Sequence, residues 1–383
     1  MVQRRHAEIA GGGFAGLTAA VALAQRGWSV RVHERAPEMR AFGAGIWVWE
    51  NGLRVLQALG VREAVLEGAH YPPIWERRDR HDALIDRFAL SGSGVSVVCL
   101  VRQHLHGSIH AAAEKAGVDL VTESECVDAD PAGVLVLADG RRLPADLVVA
   151  ADGVRSRIRD SLSLVKRRRL HDEGAIRLVL PPAPADDTTL NPDDRVKVIE
   201  WWGDQRNMLY TPCGDGVVYL CMTARTGDSR AKAIPVDKEA WTRSFPHLEG
   251  MFARIGDEGR WDRFETLRLT RWSVGKVAVI GDAAHSMTPG LGQGMGMAIS
   301  NALALAVAAD AATEGSIASA LSDWESSRRP MTEHTQRWSR TWPLLGWSPT
   351  MARLVFDQLP LAADWIHKQR ARPSSDVLTC LAS

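Results

Sequence analysis

Tyrosine is scarce, with three residues in 383, and cysteine is little commoner at five. Cys99, Cys126, Cys213, Cys221 and Cys380 are scattered, odd in number and without a C-x-x-C pair. That argues against a disulfide framework and predicts reduced thiols in a cytoplasmic protein. Charge of one sign is missing too. The 46 basic and 46 acidic residues cancel, so neither a nucleic-acid nor a membrane partner is expected. Arg4 and Arg5 are followed by a glycine turn instead of an apolar run, so no signal peptide is predicted. The apolar stretch from Ala298 to Ala309 carries Ser300 and Asn301 and reads as too short to span a bilayer. Internal repeats and low-complexity tracts are absent. Tryptophan is abundant, at fourteen, and each ring needs burial and a partner for its N–H.

The densest local signal is Ala7-Glu8-Ile9-Ala10-Gly11-Gly12-Gly13-Phe14-Ala15-Gly16. It reads as a strand, a glycine turn and the start of an apolar helix over Phe14 to Gln25, closed by Gly27. Gly11, Gly13 and Gly16 fit G-x-G-x-x-G. The first permits the turn, the second lets a pyrophosphate approach the backbone, and the third lets helix and strand pack. The helix start offers unpaired N–H groups and a positive dipole end to the same phosphates, with Phe14 and Ala15 in its first turn. Ser29 to His33 reads as the next strand. Glu34 stands at its end, about twenty residues past the turn, where a carboxylate accepts from a ribose diol; Arg35 follows. A glycine fingerprint alone also marks ordinary turns. Strand, helix and acid together point to a dinucleotide without a 2′-phosphate at this site, NAD or FAD.

Further along, a helix is expected over Leu53 to Leu59 and an excursion from Tyr71 to Val98, with Arg102 opening a helix over Gln103 to Ala116. Asp139-Gly140 lies between Val134-Leu135-Val136-Leu137 and Leu147-Val148-Val149, a hairpin signal. The second run leads into Asp152-Gly153 and a basic helix start at Arg155 to Arg159. Two-residue alternation from Gly174 to about Trp272, as in Arg195 to Glu200 and Val217 to Met222, predicts a mostly antiparallel domain. Lys276 to Ile280 returns to a buried strand, ending at Gly281-Asp282-Ala283-Ala284-His285. A second glycine-rich loop, Pro289 to Gly294, precedes a long Ala-rich helix, and a further helix is expected near Ile317 to Arg328. The expected fold class is α/β: a Rossmann-like dinucleotide-binding domain with an inserted, mostly antiparallel β-sheet domain. The Rossmann-like parts are 1–72, 99–172 and 273–340, the inserted parts 73–98 and 173–272, and 341–383 is a C-terminal helical segment. His104, His106 and His110 read as solvated helix residues and Lys166-Arg167-Arg168-Arg169 as a solvated loop.

Three junctions, at Gly11, Asp152 and Gly281, each place small or acidic residues at a strand's C-terminal end, and such ends line one crevice in an open α/β sheet. A ligand spanning all three has to be FAD. Its diphosphate meets the first junction, its ribityl chain Asp282, and its flavin ring the backbone N–H groups of Pro289 to Gly294, including Gly292 and Gln293.

These motifs resemble those of the group A flavoprotein aromatic hydroxylases, the family of 4-hydroxybenzoate and salicylate hydroxylases: the glycine fingerprint, Asp152-Gly153 with Ser156 and Arg159, and Gly281 to His285 with Pro289 and Gly292-Gln293-Gly294. The wording Gly43-Ala44-Gly45-Ile46-Trp47-Val48-Trp49 is most similar to the 2-methyl-3-hydroxypyridine-5-carboxylate oxygenases. The resemblance implies that the Rossmann-like parts form an FAD-binding domain and the inserted β-sheet a substrate domain, with FAD as cofactor, NADH or NADPH as reductant, dioxygen as co-substrate, and hydroxylation of a small electron-rich aromatic or N-heteroaromatic through a flavin C4a-hydroperoxide. It implies an FAD contact for Arg102, a position beside the substrate for Gly45 and Trp47, and an active-site role for Tyr219. Trp47, Trp75, Trp201, Tyr210 and Tyr219 are expected to line a dry pocket in which Arg177 meets an anionic group, with Pro289 at the flavin ring. The arginine expected on the preceding strand aligns with Asn207, and Arg206 is one position off, hence on the other face. Ring opening of a hydroxypyridine carboxylate is the alternative chemistry; an NAD-dependent dehydrogenase and a non-catalytic FAD-binding protein are the alternatives of another class. A monomer or homodimer without metal is expected.

Overall fold

The computed structural model describes residues 4–39, 44–90, 96–203, 205–313, 315–341, 368–369 and 372–375. Most of the expected C-terminal helical segment, with Cys380, lies outside these, as does Gly43.

Two large sheets organise the chain. The first has the order β17 (Ser273–Val274), β18 (Val277–Val279), β11 (Leu147–Ala150), β1 (His6–Ala10), β2 (Ser29–His33) and β7 (Asp119–Val121), parallel except for β17. The central strands β11 and β18 are continuous apolar runs buried along their whole length, as parallel strands under helices must be. The covering helices are α1 (Phe14–Ala24), α2 (Glu50–Ala58), α3 (Arg62–Leu66), α4 (Arg102–Lys115) and α5 (Arg157–Ser161), with α8 (Asp282–His285), α9 (Gly294–Ala311) and α10 (Ile317–Thr341) from the far end of the chain. Register positions the turns at the strand ends. Ala10 pairs with Ala150, and Ala150 with Val279, so β1, β11 and β18 end side by side.

The second sheet has the order β16 (Trp261–Leu269), β12 (Val165–Leu180), β15 (Val218–Arg225), β14 (Arg206–Pro212), β13 (Val198–Trp202), β4 (Ile74–Asp79) and β5 (Leu84–Ala89). Only β13 and β4 run parallel. One face packs on α6 (Lys238–Ser244) and α7 (Glu249–Ala253) through Trp201, Met208, Tyr210, Trp241, Phe245 and Phe252. The other faces the first lobe through Trp75, Tyr219, Cys221 and Phe264, packed with Trp47 and Trp49 of β3 (Gly45–Trp49) and with Val97 and Cys99 of β6 (Val97–Val101). β8 (Cys126–Asp130), β9 (Val134–Leu137) and β10 (Arg142–Pro144) make a small separate sheet.

Several expectations change. The Asp139-Gly140 hairpin joins β9 to β10, not to Leu147–Val149, which belongs to the parallel sheet. Three intervening residues of β10 complete the hairpin, and the more apolar run is taken by the core. Lys166 to Arg169 are not a loop but the exposed start of β12, paired with β16. α10 continues through Pro330 to Thr341, beyond the expected Arg328. α9 is long and apolar enough to cross a membrane by length and composition, against the shorter reading. Here it is packed against α1, α2 and α10.

Beneath α9, His285 is fully buried. The Asn301 amide donates to its Nε2 at 3.0 Å and to Thr332 Oγ1 at 3.0 Å. Burial drives the His285 pKa down to about 4. A histidine held neutral in the folded state contributes stability that is complete above its ordinary value, near 6.5, and that declines as pH falls toward its folded value. We predict that the wild type loses stability on acidification from about pH 6.5 to 4 more steeply than His285→Gln, by up to roughly 1.4 kcal/mol per pH unit. Parallel urea-midpoint profiles for the two proteins would contradict this.

Candidate flavin and substrate cavity

A cavity of about 820 Å³ starts at the ends of the parallel strands and reaches the inner face of the seven-stranded sheet. Its outer wall is Gly12, Gly13, Phe14 and Ala15 with Glu34 and Arg35. Gly11 is held behind this wall at φ 103°, where a Cβ would lie 2.4 Å from the Ala151 carbonyl oxygen. Only glycine satisfies both demands, which is why the turn is that tight. The start of α1 has no side-chain cap and no acid in its first turn. Its N–H groups therefore remain available to an anion. Glu34 accepts from the backbone N–H of Gly12 and of Ala36, both at 3.0 Å. A carboxylate has lone pairs left for a diol after two such bonds.

The middle of the cavity is lined by Arg102, Gly153, Gly281 and Asp282. Burial pushes the Asp282 carboxyl up, against the opposing pull of Arg102 and Arg177. The buried Arg102 Nε has no protein acceptor, and its guanidinium lies 5.1 Å from the centre of the Phe14 ring. An orphaned cationic donor beside an uncapped helix start fits a diphosphate. Pro289, Gly290, Gly292 and Gly294 bring main chain to the far end, where α9 also starts without a side-chain cap. The residues present thus fit an FAD molecule in extended form.

The inner end is aromatic. Trp47, Trp75, Tyr219 and Phe264 line it with Leu209. Trp47 meets Trp75 edge to face at 4.7 Å and donates from Nε1 to Thr211 Oγ1 at 3.1 Å. Arg177 sits 5.8 Å from the Phe264 ring centre and 3.7 Å from Asp262. Burial raises the Tyr219 phenol well above its ordinary value, and neighbouring Arg177 only partly offsets this.

Most of the expected site residues converge on this cavity. Tyr210 and Trp201 do not. Strand alternation turns Tyr210 to the opposite face of β14, where its hydroxyl donates to the Arg195 carbonyl at 3.2 Å. Trp201 lies beside it, 6.5 Å between ring centres. The Asp152 carboxylate turns away to accept from the Arg157 N–H at 3.0 Å at the start of α5, leaving Gly153 on the wall. Gly16 packs under the turn, its Cα facing the Gly11 carbonyl. Gln293 is buried behind the loop, bonded to Asn51 and Ser374. His106 is not solvated. It is 3% exposed and its Nε2–H donates to the Gly12 carbonyl at 2.8 Å, bracing the glycine turn. Its position one helical turn after Arg102 was the available signal. Among the described residues no His, Cys, Asp or Glu group could hold a metal.

A family profile described as "FAD binding domain" matches residues 5–339. The chain belongs to that family. It is 40% identical over 355 residues to 2-heptyl-3-hydroxy-4(1H)-quinolone synthase of Mycobacteroides abscessus, across 91% of this chain and 92% of that protein. It is 29% identical to 6-hydroxynicotinate 3-monooxygenase of Pseudomonas fluorescens, across 76% and 79%. Among solved structures, the tetrameric form of 2-methyl-3-hydroxypyridine-5-carboxylic acid oxygenase superposes with a TM-score of 0.85 at 39% identity, covering 92% of this chain and 95% of that one. The chain is an FAD-dependent aromatic monooxygenase of group A, with the fold of that group and its flavin cofactor.

Gly45 marks a close approach of the two lobes: a Cβ there would lie 2.3 Å from Tyr219 Cβ. Gly45→Ala is therefore expected to displace the Tyr219 ring and to lower stability by about 1–3 kcal/mol. Thermal unfolding and the intrinsic fluorescence of the neighbouring tryptophans measure both effects; an unchanged melting temperature would show that the ring yields freely.

Proposed function

We propose that this enzyme hydroxylates a ring carbon of an electron-rich N-heteroaromatic, consuming NADH or NADPH and dioxygen. One observation carries the reading: a continuous cavity joins the dinucleotide end at Glu34 to an aromatic chamber on the seven-stranded sheet. The names of the relatives, which concern quinolones and hydroxypyridines, support the substrate class.

Bound FAD would supply the redox chemistry, accepting hydride and activating dioxygen. The chain's own residues bind, orient and exclude water. The start of α1 and Arg102 would hold its diphosphate, Glu34 a ribose, and the Pro289 to Gly294 main chain the edge of the flavin. Trp47, Trp75, Leu209 and Phe264 keep the reacting ring dry. The Tyr219 hydroxyl carries its proton at neutral pH, as any phenol does, and burial only pushes its pKa further up, so it donates a hydrogen bond to a substrate oxygen and adds no negative charge to the chamber. On this reading the seven-stranded sheet is the substrate domain, and the buried free thiols, Cys99, Cys126, Cys213 and Cys221, suit a cytoplasmic enzyme.

Purified protein is expected to be yellow and to oxidise NADH or NADPH faster when hydroxypyridines or 4-quinolones are added. Product mass should show one added oxygen. Two added oxygens would support ring opening instead, and a colourless protein that flavin cannot reconstitute would sink both. Tyr219→Phe should retain FAD and lose about tenfold or more in turnover, as expected when one buried donor to the substrate is removed.

A further inference from the structure

What the inner chamber selects can be read from its walls, given the proposed reading that substrate meets flavin there. The first observation is charge. On the sheet side, among the described residues, the cavity is lined by Glu173 and Glu200 and by one cation, Arg177. That guanidinium already faces Asp262 at 3.7 Å, and the Tyr219 hydroxyl is a further partner. An arenecarboxylate entering here finds the sheet-side cation already engaged by Asp262 and Tyr219.

The second observation is Asn207. It stands on β14 between Trp202 of β13 and Thr223 of β15, lines the cavity and is 7% exposed. Its buried Oδ1 has no hydrogen-bond partner. The next side chain, Arg206, points through the sheet and is held by Asp228 at 2.8 Å and Ser244 at 3.2 Å. Alternation along the strand thus gives the chamber a carboxamide and gives the opposite face the arginine. A buried polar group without a partner costs free energy that a complementary ligand recovers. A carboxamide offers a donor and an acceptor, and a half-turn about its terminal bond exchanges them. It matches a neutral ring that carries N–H or C=O.

We propose that Asn207 is the residue that orients the substrate and sets specificity. Its carboxamide pairs with the N–H or C=O edge of an uncharged heteroaromatic of the 4(1H)-quinolone or pyridone type, and the chamber discriminates against aromatic carboxylates. The charge of the substrate is thereby set by one strand position.

The test uses full-length, FAD-loaded protein and three probes: 4(1H)-quinolone, its N-methyl derivative and 6-hydroxynicotinate. Binding is followed by calorimetry and by perturbation of the flavin absorbance, with FAD content and melting temperature as controls. The wild type should bind 4(1H)-quinolone about tenfold or more tighter than either other probe, the scale of one buried hydrogen bond lost. Asn207→Leu should lose the preference for N–H over N-methyl, and Asn207→Arg should gain about tenfold or more for 6-hydroxynicotinate. A preference that survives in a folded Asn207→Leu protein overturns the proposal. So does wild-type binding of 6-hydroxynicotinate as tight as that of the quinolone. Should Asn207→Leu not fold, the wild-type comparison and Asn207→Arg decide. In either of those cases aromatic-stimulated NAD(P)H oxidation would still be seen, and the monooxygenase reading would stand. Absence of that oxidation with every probe and with the wider hydroxypyridine panel would remove both.

Discussion

The structure depends on one alignment. β1, β11 and β18 end in the same register, at Ala10, Ala150 and Val279, so turns that lie far apart in sequence become neighbours. Parallel strands make this possible, because all their C-terminal ends point one way and the helices after them start there. The glycine turn, the uncapped start of α1 and the turns at Gly153 and Gly281 take their positions from that shared edge.

The flavin half of the site was largely legible in the chain because it is built from main chain and glycine. Gly11, Glu34, Gly281 and the Pro289 to Gly294 loop perform their parts through local geometry, and local geometry leaves a motif. The substrate half was less legible because it is built from side chains of seven strands, largely alternate residues along them. There a side chain's fate depends on which face of the sheet it takes. Tyr219 and Trp47 were placed in the chamber; Tyr210 and Trp201 were placed there too, yet stand on the helix-covered face. Once Tyr219 is known to face inward, Cys221 and Thr223 follow by twos, as Leu209 follows from Asn207. The hairpin of β9 was mispaired for a related reason. Asp139-Gly140 signals a turn but does not say which of two later segments returns, and the apolar Leu147–Ala150 has the greater gain in the central sheet.

His106 shows how a second layer escapes notice. On α4 it looks like a surface residue, since polar neighbours surround it in sequence. Packing of α4 beneath the glycine turn buries it, and its ring becomes the brace for a carbonyl that the turn leaves exposed. Phe14 lies edge-on to the same ring at 5.8 Å and also faces Arg102. Turn, phenylalanine, histidine and arginine form one small assembly around the diphosphate end, and its members come from two helices that pack together.

β12 carries a constraint of another kind. It is a single strand of sixteen residues whose ladder with β16 is broken between Leu170 and Gly174. Beyond the break Ile176, Leu178 and Leu180 pack on the helix-covered face, while Arg177 points into the cavity. Adding one amino acid near Asp172 would exchange the two sets, putting isoleucine where the guanidinium stands and burying the arginine against tryptophan and phenylalanine. Descendants of this gene can therefore lengthen or shorten that strand in pairs, or move the change out to a loop, but an odd step within it would scramble chamber and core in one stroke.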